Sequence, residues 1–264
     1  MSEPYKIALC QMKPVKDKKR NLDTAARNIE EAVRREAGVV CLPEIWNSPY
    51  DLKLMRENAE PCDGPSNTLL SELAREYDVY IVGGSIPEKA EDSKIFNTAF
   101  VFGPDGEIIA RHRKTHLFDV DIENGPRFKE SDFFAAGDSL TVFDTKYGKM
   151  GLAICFDVRF PGMFREMSKE GAHLVFLPAA FNITTGSAHW DILIKSRALD
   201  NQMYMAACGP ARDEGASFVT YSHSCVATPW GEYCAQADAR EAIIYAEIDV
   251  DYVNKIRMEL PIGN

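Results

Sequence analysis

The sequence predicts an α/β fold, a four-layer αββα sandwich with pseudo-twofold halves, and three observations carry that expectation. First, Arg35-Glu36-Ala37-Gly38-Val39-Val40-Cys41-Leu42-Pro43 is echoed by Lys169-Glu170-Gly171-Ala172-His173-Leu174-Val175-Phe176-Leu177-Pro178. Both read as a helix end, a glycine, a buried strand and a Leu-Pro stop. Second, each half carries apolar stripes at helical spacing, short continuous apolar runs and hairpins, which fits helices outside two facing sheets. Third, no glycine- or serine-rich linker separates the halves, so a single domain over 1–264 is expected.

Taken in order, residues 5–11 alternate as a strand with Ile7 and Leu9 on one face. Residues 21–36 carry a helical stripe of Leu22, Ala25, Ala26, Ile29, Ala32 and Val33, and Gly38 ends that helix. Residues 39–42 form a continuous β-branched run stopped by Pro43, the pattern of a strand buried on both faces. A helix is predicted over 67–77 and a strand over 79–86, running into Gly83-Gly84. Strands over 97–102 and 107–114 flank the turn Gly103-Pro104-Asp105-Gly106. Strands over 140–144 and 150–155 flank Tyr147-Gly148, and those over 225–228 and 232–235 flank Pro229-Trp230-Gly231. Helices are predicted over 164–169 and 190–201, the second leading to an apolar strand over 203–207.

Composition bounds the function. A net charge of −10, from 40 acidic and 30 basic residues, argues against a nucleic-acid partner, which calls for a clustered basic surface. The basic clusters are residues 16–20, read as a solvated loop beside a helix start, and residues 111–114. No apolar run approaches the roughly 20 residues of a membrane span, and residues 1–6 lack a secretory apolar region. The seven cysteines are odd in number and contain no CxxC pair, which fits a reducing, cytoplasmic setting rather than a disulfide framework.

Chemistry concentrates at three apolar strand ends. Val39-Val40-Cys41-Leu42-Pro43 delivers Glu44, Ile108-Ile109-Ala110-Arg111-His112-Arg113 delivers Lys114, and Gly151-Leu152-Ala153-Ile154 delivers Cys155. A carboxylate, an ammonium and a thiol so placed suggest acyl transfer: a nucleophile, a proton carrier and an oxyanion donor. Cys155 is the nucleophile, and with an ordinary pKa of about 8.5 it needs a neighbouring cation or base to raise its thiolate fraction. Glu44 moves the protons, and Lys114 with the Phe156 N–H holds the oxyanion. Glu130 is a second acid, able to pair with Lys114 and orient it. Alternatives stand beside each: Glu44 as a structural acid pairing an arginine, Lys114 as a hairpin-end surface charge, Glu130 as a solvated loop charge. His112 and His116 lie four apart without a third ligand at metal spacing, so metal binding is not expected. No Gly-x-Ser-x-Gly elbow, Gly-x-Gly-x-x-Gly or Walker loop is present.

At these residues the chain resembles the nitrilase superfamily of carbon–nitrogen hydrolases. Pro43-Glu44, Arg113-Lys114-Thr115-His116-Leu117-Phe118 and Gly151-Leu152-Ala153-Ile154-Cys155-Phe156-Asp157 match its Glu, Lys and Cys motifs in order. The likeness runs from about residue 6 to residue 256 and implies the αββα sandwich and a homodimer. Within the superfamily the chain looks most like the omega-amidases, which hydrolyse α-ketoglutaramate and α-ketosuccinamate to the keto acid and ammonia. The telling stretches are Asn47-Ser48-Pro49-Tyr50, Ala180-Phe181-Asn182-Ile183-Thr184-Thr185-Gly186, Ala188-His189-Trp190 and Pro210-Ala211-Arg212-Asp213. The resemblance implies Glu130 as a fourth catalytic residue, and Arg159, Thr185 and Tyr50 as the pocket for the substrate's far carboxylate. It implies no metal or organic cofactor. For Arg159 the alternative is a structural salt bridge with Asp157 or Glu166. An amidase acting on deaminated glutathione and a catalytically silent interaction protein are the rival functions. Gly125, in the loop over 121–127, and the chain end at Asn264 depart from the family pattern.

Overall fold

The computed structural model describes residues 3–123 and 127–262. Gly125 lies outside them. β1 (Tyr5–Gln11) sends Ile7 and Leu9 to one face and Ala8 and Cys10 to the other. α1 (Lys18–Arg34) begins ahead of the expected residue 21, because the Asp17 side chain accepts from the Arg20 N–H and caps it there. β2 (Val39–Cys41) is buried throughout. α2 (Leu52–Asn58) follows, capped by Asp51, then α3 (Pro65–Tyr77) and β3 (Tyr80–Val82). The strand expected over 79–86 is broken: Gly83 and Gly84 separate β3 from β4 (Ile86–Lys89). β5 (Ile95–Phe102) and β6 (Ile108–Arg113) form the predicted hairpin. β7 (Asp119–Asp121) and β8 (Arg127–Lys129) pair only with each other.

The second half repeats the plan. β9 (Thr141–Thr145) pairs antiparallel with β10 (Gly148–Leu152). α4 (Pro161–Lys169) leads to β11 (Leu174–Pro178), and α5 (Ile183–Asn201) to β12 (Tyr204–Cys208). β13 (Cys225–Ala227), β14 (Tyr233–Gln236), β15 (Ala242–Ile248) and α6 (Val250–Glu259) complete the described chain.

The first sheet runs β15-β1-β2-β3-β5, with β4 beside β3 on one edge of β5 and β6 on its other edge. The second runs β9-β10-β11-β12-β13-β14. Each has a parallel centre built through helical crossovers: β1-β2-β3 through α1 and α3, β10-β11-β12 through α4 and α5. β2 and β11, the strands of the sequence echo, hold equivalent positions. Ile7, Leu9, Val39, Cys41 and Val101 meet Leu152, Phe176 and Ala206 between the sheets. Ala8, Val40, Ile81 and Phe100 pack outward on α1 and α3 through Ile29 and Leu70, while Phe164, Trp190 and Ile194 of α4 and α5 cover the second sheet. The layers are therefore helix, sheet, sheet, helix, as expected. Among the described residues no helix is long and apolar enough to cross a membrane.

Candidate active site

The loops leaving both sheets converge at one end of the sandwich. β2 runs through Leu42 and Pro43 to Glu44, and β6 runs directly into Lys114, whose N–H donates to the Asn97 carbonyl of β5 at 2.8 Å. Glu130 opens a short 3-10 helix, Glu130–Asp132, beyond β8. Lys114, Glu44 and Glu130 are buried side by side, at 0%, 1% and 0% exposure. The Lys114 ammonium donates to Glu44 Oε1 at 2.9 Å and to Glu130 Oε1 at 2.9 Å. Glu44 also accepts from Asn97 Nδ2 (2.8 Å) and, through Oε2, from the Ala180 N–H beyond β11 (2.6 Å). Glu130 accepts from the Tyr50 hydroxyl and the Phe118 N–H, each at 2.6 Å. Glu44 thus pairs a lysine and not an arginine, and Lys114 and Glu130 are core groups rather than surface charges.

Cys155 is set differently from the expected strand end. β10 stops at Leu152, and Cys155 opens a 3-10 helix (Cys155–Arg159) with φ +46°, a left-handed backbone that a side chain seldom adopts. Asp157 clasps this turn. Its carboxylate accepts from the Ile154 N–H (3.0 Å), the His116 N–H (2.9 Å) and His116 Nδ1 (2.8 Å), and faces His112 Nε2 at 3.1 Å. One carboxylate therefore ties the thiol's turn in the second sheet to the lysine's strand in the first. Burial pushes the Asp157 carboxyl up, but hydrogen bonds from His112 and His116 overcome it and hold the group well below the usual carboxylate range.

The thiol lies against Glu44, within their mutual electrostatic and hydrogen-bonding reach. Burial and the charge of Glu44 raise the Cys155 pKa well above its ordinary value, against an opposing pull from Lys114. Burial also raises Glu44, partly countered by Lys114. For Lys114 burial acts downward, but Glu130 and Glu44 outweigh it and its pKa stands well above normal. Burial thus drives the thiol and Glu44 toward their neutral forms, beside an ammonium that the two acids hold charged.

A narrow pocket lined by Tyr50, Phe118, Cys155, Phe156, Arg159, Phe181 and Thr185 opens on the thiol, with only about 10 Å³ of free space. Among the described residues Arg159 makes no salt bridge. Asp157 is engaged by the histidines, and Glu166 pairs Lys169 at 2.8 Å. The guanidinium lies over the Phe156 and Phe181 rings (5.4 and 5.3 Å), with Nη2 3.3 Å from His189 Nδ1 and a buried Nε that has no hydrogen-bond partner. Thr185 stands on the first turn of α5, and Phe156 N–H lies in the first turn of the 3-10 helix, where backbone donors have no intrahelical acceptor. Tyr50 lines the pocket with its ring, stacked on Phe218 at 4.6 Å, while its hydroxyl is committed to Glu130. On the other side of Tyr50 and Phe218 a cavity of about 620 Å³, edged by Lys13, Lys16 and Lys53, reaches Glu44.

Asn97, the clasping role of Asp157 and the Ala180 N–H escaped the sequence reading. Asn97 left a signal, an amide beside Thr98 within the largely apolar run of β5; the Ala180 donor is backbone and left none.

An αββα sandwich that closes a thiol, a lysine and two acids together at its strand ends is the architecture of an amide-hydrolysing member of the nitrilase superfamily. The chain belongs to the carbon–nitrogen hydrolase family, whose model matches residues 6–258. It is 46% identical over 258 residues to the omega-amidase NIT2 of Xenopus tropicalis, covering 98% of this chain and 93% of that protein. Identity to the omega-amidase NIT2 of Homo sapiens is 45%, with the same coverage. Among solved structures, Saccharomyces cerevisiae Nit3, a member of branch 10 of the nitrilase superfamily, superposes with a TM-score of 0.92 at 39% identity, covering 100% of this chain and 97% of that one.

Proposed function

We propose that this chain is an omega-amidase, hydrolysing the terminal amide of short dicarboxylic keto acids such as α-ketoglutaramate and α-ketosuccinamate. The observation that carries the reading is Arg159: a guanidinium without an acid partner among the described residues, in the same narrow pocket as a thiol backed by a base. A guanidinium in that setting grips a carboxylate, and a substrate held there by its far carboxylate turns its amide to Cys155. Thr185 and the rings of Tyr50 and Phe156 complete the pocket.

In this reading the Cys155 sulfur attacks the amide carbon while its proton passes to Glu44. The oxyanion is held by the Lys114 ammonium and the Phe156 N–H. Glu44 returns the proton to the amide nitrogen, the C–N bond breaks, and ammonia leaves a thioester. Water then attacks the thioester, giving its proton to Glu44. The C–S bond breaks, Glu44 reprotonates the sulfur and the acid departs. Glu130 acts as the fourth catalytic residue by fixing Lys114 between the two acids. Side chains and one backbone N–H carry every step, so no cofactor is invoked.

The cavity beyond Tyr50 favours a second reading, an amide with a bulky leaving group such as deaminated glutathione, whose leaving portion has room there. We further read the chain as one domain, 1–264, acting in the cytoplasm as a homodimer. Seven free cysteines suit a reducing compartment, and the exposed apolar Ile192, Leu199 and Trp230 beside α5 suit a subunit contact.

The test is ammonia release from α-ketoglutaramate and succinamate, comparing the protein with Cys155→Ala. Turnover abolished by the substitution is expected. A protein inactive on both but active on deaminated glutathione sinks the omega-amidase reading in favour of the second, and one inactive on all three sinks both.

A further inference from the structure

Asn97 sits where its strand calls for an apolar residue. Along β5, Ala99 and Val101 turn inward to the core between the sheets, and Asn97 continues that face with no solvent exposure. Asparagine is depleted in strands, and burying its amide is costly unless its groups are paired. Here only the donor side is paired. Nδ2 donates to Glu44 Oε1 at 2.8 Å and approaches Glu130 Oε1 at 3.5 Å, whereas the buried Oδ1 has no partner among the described residues. Turning the amide over to pair the oxygen would aim it at two carboxylates, so the orientation is dictated by the acids. The backbone adds a second tie: the Asn97 carbonyl accepts the Lys114 N–H at 2.8 Å. One residue therefore touches both acids with its side chain and the lysine with its main chain.

The charges explain what such a residue supplies. Glu44 faces Lys114 at the end of β6, Glu130 on its 3-10 helix and Cys155 on the nucleophile turn, with Tyr50 bonded to Glu130 from the loop beyond β2. On the β4 side, the register partner of Asn97 is Pro87, which carries no charge. A single ammonium is left to serve two acids and a thiol, while burial pushes Glu44 toward its neutral form. A hydrogen bond donated to a carboxylate favours the ionised form.

We propose that Asn97 is a positioning residue of the reaction, its amide N–H groups keeping Glu44 ionised and aimed so that it can receive the Cys155 proton. This rests on the reading of Glu44 as the proton carrier, so the experiment includes Glu44→Gln. Wild type, Asn97→Ala, Asn97→Leu and Glu44→Gln are compared by the pH dependence of kcat/KM for succinamate and of Cys155 alkylation by iodoacetamide, with thermal melts at each pH. The acid limb of kcat/KM reports the essential base of the free enzyme, here carried by the coupled acids and lysine. In both Asn97 variants the acid limb of turnover and of alkylation should move up by about one pH unit, a roughly tenfold loss on the limb that recovers as pH rises. Asn97→Leu removes the unpaired carbonyl along with the donors and should keep its melting temperature, which separates positioning from a merely structural role. Limbs coincident with wild type in both variants, with Glu44→Gln inactive, overturn the proposal and leave the amidase reading intact. Glu44→Gln as active and as readily alkylated as wild type removes both.

Discussion

Arg159 is held by apolar surfaces rather than by an opposite charge. Its guanidinium rests over Phe156 and Phe181, one Nη faces His189, and burial lowers its pKa with only Cys155 acting upward. Among the described residues it has no carboxylate partner, and a ligand carboxylate would complete it through two parallel charge-assisted bonds. Lysine keeps the charge but loses the fork. Arg159→Lys should therefore raise KM for succinamate by roughly 10- to 100-fold, the scale of one or two lost charged hydrogen bonds. The kcat should change far less, and an uncharged amide such as butyramide should be nearly indifferent. A steady-state comparison of the two substrates checks this, and equal losses on both would separate Arg159 from carboxylate recognition. The residues legible in the sequence were those following a long apolar run, because an ionisable group there is conspicuous: Glu44 after Val39-Val40-Cys41-Leu42, Lys114 after β6, Cys155 after β10. Asp157 was visible too, but its work of clasping His112, His116 and the Ile154 N–H depends on the two sheets facing each other, which no local pattern encodes.

The break between β3 and β4 is the element that aims Glu44. Gly84 has φ +59°, and a Cβ there would lie 2.2 Å from the Pro43 carbonyl oxygen and 2.9 Å from the Leu42 carbonyl carbon. Those are backbone atoms of the loop that delivers Glu44, and the Ser85 N–H pairs with the same Pro43 carbonyl at 3.1 Å. Gly84→Ala therefore combines left-handed strain with displacement of the chain at the base. It should cost about 1–3 kcal/mol of stability from the backbone conformation alone and lower kcat by more than tenfold. Urea unfolding and kinetics of the purified variant test it; wild-type kcat in a destabilised variant would uncouple this turn from the site. A period-2 pattern reads straight through residues 79–86 because neither glycine has a side chain to interrupt it. The first turns of α5 were missed for a related reason, since Thr184, Thr185, Gly186 and Ser187 form no apolar stripe, yet Asn182 caps the helix and starts it at Ile183. β15 is legible only with β1 beside it, because its inward residues Ala246 and Ile248 are set by antiparallel pairing to the first strand of the chain.

At the scale of the whole molecule, the two sheets are joined by polar contacts as well as by their shared core, and one of those contacts titrates. His173, at the entry to β11, faces the Tyr5 hydroxyl of β1 through Nε2 at 2.6 Å, and Tyr5 stacks on Tyr147 at 4.1 Å. Burial, then the nearby Arg257 charge, lowers the His173 pKa from 6.5 to about 4. The folded protein thus holds this ring neutral to a lower pH than the unfolded chain does. Its contribution is complete above the unfolded value near 6.5 and is lost as pH falls from there through about 4. A shift of that size corresponds to about 3 kcal/mol, and at 3% exposure His173 is not screened by solvent. Other groups add slopes of their own, Glu44 favouring folding as it protonates and Asp157 opposing it, so the net slope of stability with pH does not isolate the histidine. Comparison with His173→Gln isolates it: an amide oxygen can still accept from Tyr5, but the side chain no longer titrates. Urea unfolding at pH 7 and pH 4.5 should show the wild type losing more stability than the variant across that interval. Equal losses in the two proteins would mean that His173 is already protonated in the folded state, and that the Tyr5 contact between the sheets does not depend on a neutral ring.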